Sequence, residues 1–396
     1  MNCIKKVNTL ILITAFLGFN TYYFCFAAPQ EETNFPPQEE NIQDIMGKIY
    51  DERNNSLVSG DIESIKKNYD LSQKLGLWSY EHESKRIKYL NNWSSKRGIT
   101  FKNIQSIVRI RKITPKGEKK TVALTETYKF DYVYKDEVEE HLNTFGVGIR
   151  HTVNLIKRND TWYIYNDLYT DCFEDALSSF SLAKPSEEFY LSSIASAYQA
   201  SSHNSVISLQ YLNKSYNREK AVQYADKYCG AAWGSTNDFK YNKKYNDYNG
   251  IGGDCTNFAS QVLGDKEEGG GLPFDSTWHC AYKKYGRAEG TRAWVNASGL
   301  KDYLVYSGKG KVLKKGTYKD LTTPLPGLPK GIVEKIELGD LIAYEKKGDI
   351  DHFAIITGKD SHGYPLVNSH TTDRYHVPWD LGWGDKHIKF VLIHVN

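Results

Sequence analysis

The first half of the chain has a helical pattern that gives way to strands. Between residues 42 and 96, Ile62, Ile65 and Tyr69 recur at spacings of three and four, which predicts two or three amphipathic helices. Four stretches rich in β-branched and aromatic residues then predict strands at residues 104–110, 122–134, 149–156 and 162–168. Helices followed by a curled antiparallel sheet predict an α+β accessory domain at residues 42–175, to which the sequence assigns no chemistry.

The second half alternates short elements with glycine-rich turns. A connecting segment at residues 176–213 leads to a predicted helix at residues 214–228. Apolar runs at residues 341–344, 351–357 and 364–370 predict an antiparallel meander. Residues 309–330 carry three prolines and predict a surface loop. We therefore expect a second α+β domain at residues 214–396.

The N-terminus has the three parts of a secretory signal. Lys5 and Lys6 precede an apolar run at residues 10–19, and small residues follow at Ala27 and Ala28. These features predict a signal peptide at residues 1–27, then a polar linker at residues 28–41. A lipoprotein anchor at Cys25 is the alternative. The run is too short to span a bilayer, so we expect a secreted or cell-surface protein with no stable membrane span after cleavage.

Charge and cysteine content narrow the chemistry. The chain has 51 Lys and Arg against 48 Asp and Glu, a net charge of +3, which favours no nucleic-acid partner. Six cysteines become four after cleavage of the signal. If one of the four is a working thiol, the odd remainder argues against a complete disulfide framework, and no CxxC pair or HExxH motif suggests zinc. No cofactor is predicted.

One cysteine follows a sharp turn. Gly252 and Gly253 allow the backbone to turn, and Asp254 is a candidate N-cap for a helix that begins at Cys255. The positive end of that helix would lower the thiol pKa from about 8.5 and make Cys255 a nucleophile. The alternative is an inert buried cysteine, but the Gly-Gly-Asp turn favours the nucleophile.

A cysteine nucleophile needs a base, and the base needs a partner that orients it. His352 opens the central strand of the predicted meander and fits the role of base. Asn368 and His370 are two residues apart on the next strand, so both side chains would face the same side. Either one could orient His352.

These motifs resemble known families. Gly-Gly-Asp-Cys-Thr-Asn-Phe-Ala-Ser-Gln at 252–261, Asp-His-Phe-Ala-Ile-Ile-Thr at 351–357 and Ser-His-Thr at 369–371 are similar to the bacterial putative amidase domain family, and through it to NlpC/P60 and CHAP papain-like cysteine hydrolases. The resemblance implies that Cys255, at the start of a helix, is the nucleophile and that His352, at the start of a strand, is the base. It also implies a residue that orients the base, and here His370 is favoured over Asn368. The first half resembles the NTF2-like, cone-shaped fold.

The resemblance implies hydrolysis of an amide bond, with a peptide or amide substrate and bacterial peptidoglycan among the candidates. Transfer of the acyl group to an amine is a close alternative, because a thioester can react with either water or an amine. A module that binds the cell wall or has a structural role, and has lost catalysis, is the alternative of another class. We expect the accessory domain to position the enzyme or to form a dimer, and the sequence does not choose the oligomeric state.

Overall fold

The computed structural model describes residues 41–180, 216–282, 288–384 and 387–396. The predicted signal peptide, the linker apart from Asn41, and most of the connecting segment lie outside these residues. Residues 41–396 form one compact unit. None of the described helices is both long and apolar enough to cross a membrane.

The first half contains helices followed by an antiparallel sheet, as predicted, but Ile62, Ile65 and Tyr69, whose spacing indicated a helix, lie in the segment between the first two helices. Its elements are α1 (Ile42–Ser59), α2 (Lys74–Lys96), β1 (Ile99–Lys116), β2 (Lys119–Tyr134), β3 (Asn143–Arg158), β4 (Thr161–Tyr169) and α3 (Glu174–Ser179). The side chain of Asn41 accepts a hydrogen bond from the amide of Gln43 and so caps α1, which ends at Gly60 in the left-handed conformation. The two long helices pack on the sheet around a core rich in aromatic side chains.

The second half surrounds the predicted meander with short helices. Its elements are α4 (Arg218–Lys227), α5 (Cys255–Gly264), β5 (Cys280–Tyr282), β6 (Ala288–Gly290), α6 (Arg292–Val295), α7 (Ala297–Tyr306), β7 (Gly310–Gly316), α8 (Tyr318–Thr322), β8 (Leu341–Lys346), β9 (Asp349–Lys359), β10 (Pro365–Ser369), β11 (Asp373–Pro378) and β12 (Ile388–Val395). The meander is β8, β9 and β10. The predicted surface loop at 309–330 is wrong in its first part, because β7 pairs with β12 at the edge of the sheet.

Strands from both halves join in one sheet. Its order is β1-β2-β3-β11-β10-β9-β8-β12-β7, with β4 also paired to β3. The junction is antiparallel and sets Gly146, Val147 and Gly148 of β3 opposite Tyr375, Arg374 and Asp373 of β11. The described residues thus contain a continuous ten-stranded sheet, and the mixed helical and antiparallel α+β class is confirmed. The division into domains at 42–175 and 214–396 stays a prediction.

Two glycines of β3 make room for this junction. A Cβ at Gly146 would lie 2.2 Å from the carbonyl oxygen of Trp233, and one at Gly148 would lie 2.4 Å from the carbonyl carbon of Ala231. The segment after α4 therefore lies directly on β3, where any side chain would clash. This close approach fixes the second half against the first.

Candidate functional site

The turn before α5 has the geometry that the sequence predicts. Gly252 and Gly253 have φ angles of 103° and 110°, which favour glycine strongly. Cys255 is the first residue of α5 and is only 7% exposed. Its amide and that of Thr256 lie in the first helical turn, where the helix itself supplies no acceptor. The turn therefore sets the thiol beside backbone donors.

Asp254 does not cap α5, contrary to expectation. Its side chain makes no capping hydrogen bond. Instead Oδ1 accepts hydrogen bonds from the amide of Tyr248 at 3.0 Å and from the side chain of Asn257 at 2.9 Å, while Oδ2 lies 2.6 Å from Nδ1 of His370. The carboxylate therefore ties the turn to the loop before it and to the end of β10.

Thr371 is a contributor that sequence reasoning missed. Its hydroxyl oxygen accepts a hydrogen bond from the amide of Asp254 at 2.5 Å. A Cβ at Gly253 would lie 3.2 Å from the same oxygen. Thr371 and Thr372 have φ angles of 56° and 67°, an unusual conformation for β-branched residues that local sequence does not reveal. The strained corner between β10 and β11 thus holds the cysteine turn.

His352 lies on β9, is 5% exposed, and stands opposite Tyr344 of β8. Its ring centroid is 5.6 Å from that of Tyr344 and 5.3 Å from that of Trp383. Nε2 of His352 is buried and has no hydrogen-bond partner among the described residues. The next residue, Phe353, directs its backbone amide to the sulfur of Cys255. Strand β9 therefore brings His352 and the amide of Phe353 close to Cys255.

Burial decides the charge of both groups. Desolvation, followed by the electrostatic effects of Arg374 and His370, lowers the pKa of His352 to about 3. Desolvation also raises the pKa of Cys255, although hydrogen bonds from the amide of Phe353 and from Thr256 oppose this rise. The expected lowering of the thiol pKa is therefore not found, because removal from water outweighs the amide donors. The resting pair is a neutral thiol beside a neutral imidazole.

The two candidate orienting residues are engaged elsewhere. His370 lies between Asp254 and the carbonyl oxygen of Tyr228, which is 2.7 Å from Nε2. Asn368 accepts hydrogen bonds from the hydroxyl of Thr357 at 2.8 Å and from the amide of His376 at 2.7 Å. Its amide nitrogen donates to Asp226 at 2.9 Å. Neither side chain hydrogen-bonds to His352 within the described residues, so in this structure neither acts as its orienting partner.

Cys255 and His352 line one cavity of about 390 Å³, and both halves of the chain form its wall. The first half supplies Thr170, Asp171, Cys172, Glu174, Asp175 and Ser178. A second cavity of about 360 Å³ shares Thr170, Thr371 and Thr372 with the first. The groove thus extends past the cysteine turn, and the contribution of residues 170–178 had no signal in the sequence.

The other cysteines have environments unlike that of Cys255. Cys172, Cys229 and Cys280 are free thiols, and burial raises the pKa of each, to about 12 for Cys172 and about 11 for Cys280. Cys172 also lines the cavity that contains Cys255. Across the described ranges, no three His, Cys, Asp or Glu side chains are arranged to hold a metal ion.

The chain is similar in sequence to a bacterial protein. The uncharacterized protein YhbB of Bacillus subtilis (strain 168) is 28% identical over 191 residues, which are 46% of this chain and 50% of that protein. The chain thus spans about half the length of the curated relative it matches.

Similar solved structures cover about a third of the chain. One is described as a putative dehydratase from the NTF2-like family from Streptomyces avermitilis, with 11% identity over 32% of this chain and 93% of that chain and a TM-score of 0.24. Another is a putative NTF2-like transpeptidase from Campylobacter jejuni, with 16% identity over 31% and 96% and a TM-score of 0.17. Scores this low support no inference about function. Residues 215–393, which include Cys255 and His352, match the model of the family described as "Putative amidase domain".

Proposed function

We propose that the protein is a cysteine-dependent amide hydrolase in which Cys255 is the nucleophile and His352 the base. The observation that carries the proposal is that both side chains line one cavity, with the amide of Phe353 directed at the sulfur. An inert structural cysteine would need neither the double-glycine turn nor a histidine in the same cavity. The match to an amidase family agrees with this chemistry.

The resting charges define the first chemical step. Because the thiol and the imidazole are both neutral, His352 takes the proton of Cys255 as the sulfur attacks the carbonyl carbon. The first-turn amides of α5 can donate to the oxygen that becomes negative. The C–N bond then breaks, and the amine leaves with the proton from His352. Water, deprotonated by the same ring, cleaves the thioester and restores the thiol.

The site and the N-terminal sequence together suggest where the enzyme acts. We infer that residues 1–27 direct export, and that bacterial cell-wall peptide is the leading substrate candidate. We infer a relationship to NlpC/P60 and CHAP hydrolases from the motifs around Cys255 and His352.

The test compares single-site variants on a panel of wall peptides and N-acyl amides, with products identified by mass spectrometry. Cys255→Ala and His352→Ala should each lower turnover by at least about a thousandfold, since removal of a nucleophile or base abolishes covalent catalysis. Cys172→Ser is the matched control, because this thiol lines the same cavity. A thioester on Cys255 in denatured, rapidly quenched samples supports the mechanism. Full turnover by Cys255→Ala would refute it.

A further inference from the structure

Arg374 is a buried cation in the wall of the catalytic cavity. It lies on β11, is 3% exposed, and lines the cavity with Cys255 and His352. Its two terminal nitrogens donate to backbone carbonyl oxygens, at 2.8 Å to Leu381 and 2.6 Å to Cys172. Its Nε has no hydrogen-bond partner among the described residues. A guanidinium has five N–H donors, so donors remain available for a ligand.

The guanidinium also lacks a carboxylate partner. Within the described ranges, no Asp or Glu oxygen forms an ion pair with Arg374, whereas the buried Arg53 and Arg86 pair with Asp167 at 2.8 Å and Asp171 at 3.0 Å. Burial of an uncompensated charge is costly, because neutral carbonyls replace only part of the hydration of the ion. An anion that enters the cavity would supply the missing charge.

The surroundings favour an anionic group over a cationic one. Nε1 of Trp383 and Nε2 of His352 also line this wall as buried nitrogens without partners in the described part of the chain. Four acidic side chains line the cavity. Asp171 is buried and paired with Arg86 at 3.0 Å, and Asp175 is paired with Lys346 at 2.7 Å. Glu174 and Asp351 are exposed, so water and salt screen their charges far more than that of a buried guanidinium. The interior of the cavity is therefore rich in donors.

We propose that Arg374 binds a carboxylate of the substrate close to the scissile amide, so that the enzyme selects peptides or N-acyl amino acids with a negative group there. This inference rests on the proposed function and adds its substrate class. The first half of the chain builds the subsite, since the carbonyl of Cys172 holds the guanidinium and β3 pairs with the strand that carries it. A planar guanidinium and a carboxylate form two parallel hydrogen bonds, which also fix orientation.

Two alkylating reagents that differ in charge test the subsite. Iodoacetate carries a carboxylate and iodoacetamide does not, and both modify Cys255 at its sulfur. The measured quantity is the rate constant with iodoacetate divided by the rate constant with iodoacetamide, and this ratio for Cys255 is then divided by the ratio for glutathione. We expect the result to exceed about ten, because the bound carboxylate brings the reagent to the thiol. The ratio should fall to near one in Arg374→Met and be partly retained in Arg374→Lys. Arg111→Met is the control, since Arg111 is an exposed arginine on β1 that lines neither cavity, and its ratio should stay at the wild-type value.

A binding measurement separates this inference from the proposed mechanism. Calorimetry should detect binding of N-acetylglycine, which has a carboxylate, and no binding of N-acetylglycinamide, which has none. The Arg374→Lys variant should bind N-acetylglycine at least about tenfold more weakly. A wild-type alkylation ratio equal to that of glutathione, together with no preference for N-acetylglycine, overturns the carboxylate subsite. If neither reagent alkylates Cys255 but N-acetylglycine binds through Arg374, the nucleophile assignment fails and the subsite stands.

Discussion

The carboxylate of Asp254 lies 2.6 Å from Nδ1 of His370, although 116 residues separate them in the chain. Asp254 precedes the candidate nucleophile, and His370 follows the last residue of β10. The ring also stacks on Phe258 of α5 at a centroid distance of 3.8 Å, and its Nε2 faces the carbonyl of Tyr228. This histidine therefore fastens the turn of Cys255 to the sheet.

His370→Ala should destabilise the fold as well as reduce activity. Loss of one partner from a buried, hydrogen-bonded pair costs on the order of 3 kcal/mol, because the carboxylate of Asp254 remains buried. Urea denaturation of the variant should show a loss of this size in the free energy of unfolding. His387→Ala is the control, since that residue is exposed. Unchanged stability with complete loss of turnover would instead indicate a direct catalytic role for His370.

Thr371→Val should slow catalysis more than Thr371→Ser. Valine has nearly the shape of threonine but cannot accept the hydrogen bond of the Asp254 amide, whereas serine can. We expect a loss of about 1–2 kcal/mol in the free energy of unfolding for valine, and a fall in the alkylation rate of Cys255. Equal alkylation rates in the two variants would show that this hydrogen bond does not position the thiol.

The reactivity of Cys255 in the free protein should increase with pH without an early plateau. Burial raises the pKa of the thiol, and the pKa of His352 is lowered to about 3, so the ring is neutral at every pH above about 5. The rate of alkylation by iodoacetamide should therefore still rise at about pH 9. A rate that levels off below pH 7 would indicate a resting thiolate–imidazolium pair instead.

The stability of the folded protein should decrease at high pH because His151 loses its proton there. Burial opposes a charged ring there, but the carboxylates of Asp167 at 3.0 Å and Glu126 at 3.2 Å outweigh it and raise the pKa from 6.5 to about 9. This contribution is fully present below pH 6.5 and is lost as pH rises through 9. The difference between these two pKa values corresponds to roughly 3 kcal/mol in the free energy of unfolding.

Urea denaturation at pH 6 and pH 10 measures this effect as the difference between wild type and His151→Gln. His141→Gln is the control, because His141 is exposed. The stability gap between wild type and His151→Gln should shrink at pH 10, whereas His141→Gln should follow the wild type at both values. A gap that does not change with pH would mean that the ring of His151 is uncharged in the folded protein.

Residues 214–396 expressed alone should not form the native site. Without β3, the β11 backbone from Asp373 to Tyr375 loses its ladder partners on one side, and Arg374 loses the carbonyl of Cys172. We expect aggregation or loss of native tertiary signals, measured by size-exclusion chromatography and near-ultraviolet circular dichroism. Co-expression with residues 41–180 should restore the native signals. A soluble, selectively alkylated fragment would contradict this expectation.

The sequence by itself determined the local parts of the site. The two glycines fix a turn with positive φ, so α5 begins at Cys255, and the apolar runs around His352 give β8, β9 and β10. Both features follow from backbone preferences and side-chain periodicity, which act over a few residues. The family motifs and the α+β class were visible for the same reason. The edge strand β7 was missed because prolines further along the segment suggested a loop.

Only the tertiary structure decided what these parts contact and how they are charged. The pairing of β3 with β11, the bond from Arg374 to Cys172 across 202 residues, and the engagement of His370 by Asp254 all join distant segments. No local pattern encodes such contacts, because they depend on how whole layers pack. The thiol pKa was likewise a property of burial: the sequence pointed to a helix end that would lower it, whereas desolvation in the assembled cavity raises it.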